Sequence, residues 1–243
     1  MTQAWRELGR ARAGGVLLIA DHASAHVPGD IDLGIASAVL MTHIAVDIGV
    51  AEVAELLVDG GAVDCAVLGG VSRLVLDLNR EPDHPGLIPE HSDGHAIVGN
   101  IGLTRGARAE RIGRFFDPYH DRLDALIAAA PPAMILSLHS FTPRLATRPD
   151  ETRPWDIGVL YNDDDRLAAA AIAALAADGW HVGDQQPYSG KLLNATMNRH
   201  AEARGIPYIG IEMRQDHNAT AEGRRTMAQS LAKMTKELRN SLA

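Results

Sequence analysis

Three strand-like apolar runs of this chain each lead into residues that can bind a metal or transfer a proton. The runs are residues 15–20, 133–138 and 207–211. His22, His139 and Glu212 follow them. Two imidazoles and a carboxylate suit a zinc ion, whose catalytic sites use three protein ligands and keep a position open for water. Core packing alone does not explain why polar chemistry follows three separate runs.

A third metal ligand is expected between the first and second of these runs. Asp47 is the first carboxylate after His22 on a well-formed helical pattern, residues 42–58. His26 and His43 are rival ligands, and His26 shares the predicted loop of His22. The third ligand is therefore assigned to Asp47, with the two histidines as alternatives.

Strands that alternate with helices predict an α/β protein with helices on both faces of a mixed, largely parallel sheet. Besides the three runs above, the pattern predicts strands at residues 63–68, 72–80, 156–160 and 181–182. It predicts helices at residues 42–58, 107–129, 164–177 and 221–242, with a break at Asp117-Pro118. In such folds ligands bind beyond the carboxyl ends of the strands. We expect one three-layer α/β/α domain over residues 1–243, with residues 81–103 as a long loop.

Composition limits the partners of the chain. The formal net charge is −8 and no Lys/Arg cluster is present, which argues against a nucleic-acid surface. The one cysteine, Cys65, permits no internal disulfide and has apolar neighbours, so we expect a buried thiol and a reducing compartment. No run reaches the roughly 20 apolar residues of a membrane span. These features predict a cytoplasmic protein with a small-molecule ligand, and they leave the oligomeric state open.

Several segments together resemble the N-formylglutamate amidohydrolase family, and they extend from about residue 15 to residue 216. They are Asp21-His22-Ala23-Ser24, the segment 44–49 around Asp47, Ser72-Arg73, Asp77-Leu78-Asn79-Arg80, Ser137-Leu138-His139-Ser140, Pro187-Tyr188-Ser189-Gly190 and Gly210-Ile211-Glu212-Met213-Arg214. That family is similar to the zinc carboxypeptidases and aspartoacylase. The resemblance implies a zinc-carboxypeptidase-like fold and a zinc-dependent amidohydrolase, although another divalent metal is compatible with the same ligands.

The resemblance also implies roles for individual residues. His22 and His139 correspond to metal ligands, and Glu212 corresponds to the general base. The related peptidases place a carboxylate three residues after the first histidine, but position 25 is alanine here, so Asp47 must take that place. Arg73 is the candidate donor to the oxyanion, and its alternative is an ordinary arginine on the surface of a strand.

Five residues are candidates for substrate binding, namely Asn79, Arg80, Tyr188, Ser189 and Arg214. Asn79 and Arg80 suit a substrate carboxylate, because a planar guanidinium bonds both oxygens and an amide adds another donor. Arg214 is a candidate for a second carboxylate. Tyr188 and Ser189 lie in a glycine-terminated segment that would close over the substrate, or that would simply form a turn.

The sequence thus predicts hydrolysis of an N-acyl, and specifically N-formyl, acidic amino acid such as N-formylglutamate. One alternative is a deacylase or carboxypeptidase-like hydrolase that acts on another N-acyl amino acid. A second is a ligand-binding protein without turnover, which Glu212 disfavours because binding alone requires no base.

Overall fold

A seven-stranded mixed sheet forms the centre of the computed structural model, which describes residues 3–242 of the chain. The strands are β1 (Trp5–Gly9), β2 (Val16–Ala20), β3 (Cys65–Gly69), β4 (His91–Ser92), β5 (His95–Ala96), β6 (Met134–Phe141), β7 (Ile157–Leu160), β8 (Val182–Asp184) and β9 (Tyr208–Arg214). The α-helices are α1 (Val50–Asp59), α2 (Arg105–Arg111), α3 (Asp117–Ala129), α4 (Ala168–Ala177), α5 (Ala195–His200) and α6 (Ala221–Ser241). The order across the sheet is β1-β3-β2-β6-β9-β7-β8, and β4 and β5 form a separate hairpin.

Helices cover both faces of this sheet because strand side chains alternate between two apolar clusters. Val16 and Leu18 pack with residues of α1, α4 and α6 on one face. Leu17 and Ile19 pack with residues of α3 and α5 on the other face. Successive residues of a strand point to opposite faces, so β2 is buried on both, as is usual for a parallel strand between helix layers. The predicted three-layer α/β/α fold class is confirmed.

The four central strands β3, β2, β6 and β9 run parallel, so their carboxyl ends meet at one edge of the sheet. β1 pairs antiparallel with β3, and β7 pairs antiparallel with β9. His139 lies directly opposite Glu212 in the register of β6 and β9. Both residues lie within their strands, because β6 continues to Phe141 and β9 to Arg214, beyond the ends that the apolar runs predicted.

The segment 72–80 forms successive turns, and the strand predicted there was wrong. The Ser72 carbonyl accepts from the Val75 N–H at 2.8 Å, and the Arg73 N–H donates to the Ala45 carbonyl at 3.3 Å. β3 has β1 and β2 on its two sides, so the sheet offers no open edge next to it. The alternation of polar and apolar residues therefore reflects burial within packed turns.

Helix α1 begins at Val50, and the predicted start at residue 42 was wrong. Gly49 precedes it with a φ of +80°, a left-handed conformation that glycine adopts at little cost. Asp47 consequently lies in the turn before the helix. Its N–H donates to the His22 carbonyl at 3.0 Å, which ties this turn to the loop after β2.

The helix break predicted at Asp117-Pro118 was also wrong. A π-helical segment, Ile112–Phe116, joins α2 to α3 without interruption. The Asp117 N–H reaches back to the Ile112 carbonyl, the longer spacing that defines a π turn. This wider turn lets the helical path continue through the proline.

Strand β1 and the short helix α5 were also not predicted from the sequence. The long predicted loop, residues 81–103, contains the β4–β5 hairpin and two 3₁₀ turns, Pro85–Leu87 and Val98–Asn100. Cys65 is buried in β3, and burial raises the pKa of its thiol to about 11. Within residues 3–242, no helix combines the length and the apolar character needed to span a bilayer.

Candidate active site

His22, Asp47 and His139 come together at the carboxyl edge of the sheet. One ligand atom from each lies within 4.8 Å of the other two, and all three residues are buried. Asp47 Oδ2 lies 3.0 Å from His139 Nδ1 and 3.5 Å from His22 Nδ1. Among the described residues, no other group of three His, Cys, Asp or Glu side chains has this arrangement.

A further carboxylate lies behind each of the two histidines. His22 Nε2 is 2.7 Å from Asp77 Oδ1, and His139 Nε2 is 3.6 Å from Asp21 Oδ2. Such outer carboxylates orient a metal-binding imidazole and fix its tautomer. With a proton on each Nε2, both Nδ1 atoms are free to bind a cation together with Asp47. The donor set therefore fits a zinc ion or a similar divalent metal.

The charges around this cluster oppose one another strongly. Burial alone would raise the pKa of Asp47, but His22, His139 and Arg73 lower it well below its usual value. Burial alone would lower the pKa of His139, but Asp21 and Asp47 raise it well above its usual value. The site thus attracts positive charge, which protons supply when no metal is bound, and a bound cation would displace them.

Glu212 faces the same cavity from β9. Burial raises the pKa of its carboxyl to about 7, although the neighbouring His139 lowers it in part. Its Oε2 atom is buried and has no hydrogen-bond partner among the described residues. A carboxyl group with a pKa near neutrality can both accept and return a proton, which is the property required of a general base.

Arg73 lies on the turn segment beside the cluster and not on the predicted strand. Its Nη1 donates to Asp47 Oδ1 at 3.2 Å, and its Nη2 donates to Asp77 Oδ2 at 3.0 Å. Asp77 and Asp47 raise the pKa of this guanidinium further, against the effect of burial, so it remains a cation. Neighbouring Arg80 donates to the Asn79 carbonyl at 2.7 Å.

The cavity has a volume of about 140 Å³. The predicted site residues that line it are His22, Asp47, Arg73, Asn79, Arg80, His139, Tyr188 and Glu212. His43, one of the rival metal ligands, also lines it, but its Nε2 bonds Asp93 Oδ2 at 2.9 Å. The other rival, His26, is exposed, and neither histidine belongs to the three-residue cluster.

The structure does not bring Arg214 and Ser189 to this cavity. The Arg214 guanidinium turns toward the start of β7, where it lies 3.2 Å from Asp156 Oδ1 and 2.8 Å from Asp216 Oδ1. Two carboxylates thus neutralise it. Ser189 begins a turn in which its Oγ accepts from the Lys191 N–H at 3.3 Å.

Sequence reasoning gave no role to three residues of this region, Asp21, Asp77 and Arg153. Arg153 is buried and donates to the Tyr188 hydroxyl at 3.0 Å, with its guanidinium carbon 5.1 Å from the centre of that ring. Asp21 immediately precedes His22, and Asp77 lies two residues before Asn79. For Asp21 and Asp77, nearness in sequence to predicted site residues was the signal that could have identified them.

A family model described as N-formylglutamate amidohydrolase matches residues 14–218. A comparison with functionally curated protein sequences gives no significant match. Among solved structures, a gene product from Agrobacterium tumefaciens is 31% identical, with coverage of 98% of this chain and 96% of that chain and a TM-score of 0.90.

Two more distant structures share the fold. An N-formylglutamate amidohydrolase from Ralstonia eutropha JMP134 is 20% identical, with coverage of 100% of this chain and 98% of that chain and a TM-score of 0.77. A bacteriophage poly-gamma-glutamate hydrolase is 11% identical, with coverage of 99% and 90% respectively and a TM-score of 0.51. These identities are low, so the two structures support the fold assignment alone.

Proposed function

The chain belongs to the N-formylglutamate amidohydrolase family, and from this membership we propose that it hydrolyses the amide bond of an N-formyl acidic amino acid such as N-formylglutamate. Water adds across the amide, and the products are formate and the free amino acid. Family membership itself supports amidohydrolase activity on a small molecule. The metal, the general base and the identity of the amino acid are our proposals.

One observation carries the proposal. Two imidazoles and a carboxylate, from His22, His139 and Asp47, converge at one cavity. The buried Glu212 lines the same cavity, and its Oε2 atom has no hydrogen-bond partner among the described residues. When bound to these three ligands, zinc supplies a Lewis acid that polarises a carbonyl and makes water more acidic. A site that only binds a ligand would not require an unpartnered carboxyl group there.

Glu212 is the proposed general base. Its carboxyl accepts a proton from the attacking water and later returns it to the departing amine nitrogen, so the proton balance closes within one turnover. Burial has already raised the pKa of Glu212 to about 7, which suits both transfers near neutral pH. The strand register fixes the position of Glu212 beside His139.

Arg73 is the proposed donor to the oxyanion that develops on the substrate carbonyl. Its guanidinium is held by Asp47 and Asp77, and its side chain lies on the cavity wall. Donors that are oriented before the reaction stabilise developing charge without further reorganisation. Arg73 thus contributes a fixed positive charge next to the ligand Asp47.

Asn79 and Arg80 are proposed to hold the α-carboxylate of the substrate, since both line the cavity. Tyr188 also lines the cavity, and Arg153 donates a hydrogen bond to its hydroxyl. We retain no substrate role for Arg214, because Asp156 and Asp216 neutralise it. Ser189 shapes the turn after Tyr188.

A second, wider groove adjoins the cavity. It has a volume of about 480 Å³ and shares Arg73, Arg80 and Tyr188 with the cavity. Arg148 and Arg153 add two guanidinium groups to its wall. Both are paired with Glu151, and Asp77 and Asp93 line the same groove, so its wall carries charges of both signs.

The decisive experiment is hydrolysis of N-formylglutamate by the zinc-loaded protein, followed by release of formate. We expect turnover with added zinc, loss of turnover with a chelator, and a kcat lowered by about 10²–10⁴-fold in the Glu212→Gln variant. The groove also leaves room for a longer acyl group, so the panel includes N-acetylglutamate and N-formyl derivatives of neutral amino acids. Binding of all these compounds without hydrolysis of any would refute the proposal.

A further inference from the structure

Asp21 lies directly behind the metal-ligand candidate His139. Asp21 Oδ2 and His139 Nε2 are both buried, have no hydrogen-bond partner among the residues that the structure describes, and lie 3.6 Å apart. A small rotation of the imidazole closes this gap to a hydrogen bond. The orientation of the Asp21 carboxylate therefore determines the orientation that His139 can adopt.

Two hydroxyl groups fix the other oxygen of this carboxylate. The Tyr119 hydroxyl of α3 donates to Asp21 Oδ1 at 2.9 Å, and Thr196 Oγ1 of α5 lies 3.0 Å from the same atom. All three residues are buried. The helix layer next to this face of the sheet thus reaches the outer carboxylate of the site through two direct contacts.

The single hydroxyl proton of Thr196 has two acceptors within reach, Asp21 Oδ1 at 3.0 Å and the Leu78 carbonyl at 3.3 Å. The Leu78 carbonyl is also 3.1 Å from His120 Nε2, which can satisfy it. The carboxylate is closer and charged, and charged acceptors form the stronger hydrogen bonds. The Thr196 proton therefore goes to Asp21.

The backbone of Thr196 makes a second contact with the site. Its N–H donates to Asn79 Oδ1 at 3.0 Å. This bond fixes which end of the Asn79 amide is the acceptor, and it leaves the NH₂ group as the end available to a carboxylate. One residue on a six-residue helix thus contacts both the outer carboxylate of His139 and the amide proposed to bind substrate.

We propose that Thr196 is a positioning residue, which through its hydroxyl holds Asp21 behind His139 and through its N–H orients Asn79. The inference rests on the proposed function for its meaning in catalysis. Its effect on the metal site, however, is measurable without any substrate. The side chain and the backbone act on different partners, so a side-chain substitution separates the two effects.

The test compares zinc affinity of Thr196→Val with that of the unmodified protein, by competition with a chromophoric chelator. Valine keeps the shape but lacks the hydroxyl, so we expect about tenfold weaker zinc binding, the lower end for loss of an outer contact. Thr196→Ser should restore the affinity. At saturating zinc, KM should stay within about twofold, because the N–H to Asn79 remains.

Thr235→Val is the matched control. Thr235 is fully buried on α6, in the opposite helix layer, and its hydroxyl lacks a partner in the described structure, so this variant should bind zinc normally. Should Thr196→Val fail to fold, Tyr119→Phe removes the other donor to Asp21 and should weaken zinc binding to a similar extent.

Each possible result of these measurements either supports or overturns the proposed role of Thr196. Unchanged zinc affinity in a folded Thr196→Val protein overturns the inference and leaves the proposed function intact. A loss that serine does not restore, or a KM that rises as much as zinc affinity falls, shows general damage and also overturns it. No zinc binding by the unmodified protein overturns the inference and the proposed function together.

Discussion

Two buried pairs of histidines lie at nearly equal separations in this protein but in different surroundings. The ring centres of His22 and His139 are 5.0 Å apart, with the planes tilted by 58°. The ring centres of His120 and His200 are 5.1 Å apart, with the planes stacked at 9°. The first pair lines the cavity, whereas the second lies within the helix layer next to the sheet.

The net effect of neighbouring charges distinguishes the two pairs. Burial lowers the pKa of all four imidazoles, but around His139 the contacts with Asp21 and Asp47 reverse the effect. No carboxylate compensates His120 to that extent. Burial first, and the neighbouring His200 second, lower the pKa of His120 to about 4. Similar burial thus leaves one pair in surroundings that favour positive charge and the other pair in surroundings that favour the neutral form.

The hydrogen bonds of His120 also use both of its ring nitrogens. His120 Nε2 faces the Leu78 carbonyl at 3.1 Å, and His120 Nδ1 lies 2.8 Å from His200 Nε2. No nitrogen of His120 remains for a metal. The comparison teaches that closeness of two histidines does not define a metal site, and that the unused nitrogens and the nearby carboxylates do.

The largest effect should come from removal of a proposed metal ligand. His139→Ala is expected to weaken zinc binding by more than about 100-fold, beyond the usual cost of losing an outer contact, and to abolish turnover with it. Metal analysis of purified protein measures this. His200→Ala is the matched control from the other pair and should retain one zinc per chain. Equal zinc loss in both variants would erase the distinction between the pairs.

The next largest effect is expected at Glu212, the carboxyl group that lies beside His139 of the first pair. Glu212→Gln should lower kcat by about 10²–10⁴-fold, the usual range for loss of a general base, while zinc content stays at the level of the unmodified protein. Steady-state kinetics measures the fall in kcat, and metal analysis of the same sample measures the zinc content. Residual activity near that of the unmodified enzyme would remove Glu212 from the mechanism.

The fold class and the convergence of His22, His139 and Glu212 were predictable because each of the three residues follows an apolar run of the sequence, which is a local pattern. The sequence could not predict Asp21 as part of a network, since its partners Tyr119 and Thr196 lie 98 and 175 positions away along the chain. Contacts between residues so far apart in the chain depend on how the helices pack over the sheet, and the periodicity of apolar residues does not predict them.

Arg214 illustrates a second limit of the same reasoning. Arg214 lies two residues after Glu212 on β9, so the backbone directs both side chains to the same face of the sheet. At the last residue of a strand, however, a long side chain can leave that face, and here Asp156 and Asp216 attract it. Local pattern thus located the backbone of Arg214 correctly but not its guanidinium.

A smaller effect should follow from the outer carboxylate of His22. Asp77→Asn keeps an acceptor near His22 Nε2 but loses the negative charge, so we expect zinc affinity to fall by roughly tenfold. Asp124→Asn is the corresponding change at the other pair, because Asp124 lies 2.8 Å from His200 Nδ1. Chelator competition should show no change for Asp124→Asn. An equal loss in both variants would mean that the two carboxylates act through general stability.

The smallest effect is expected from the neutral pair, as a dependence of stability on pH. The pKa of His120 is about 4 in the folded protein, below the value of about 6.5 in an unfolded chain, so the unfolded chain takes up the proton first as pH falls. Stability from this group is complete above pH 6.5 and declines toward pH 4, by about 1.4 kcal/mol between pH 7.5 and 5.5. Chemical unfolding of the zinc-free proteins at both pH values measures this change. Between pH 7.5 and 5.5 the free energy of unfolding should fall by about 1.4 kcal/mol less in His120→Gln than in the unmodified protein. The site histidines titrate identically in both proteins and cancel from the difference, so equal losses would show that His120 is not held neutral by the fold.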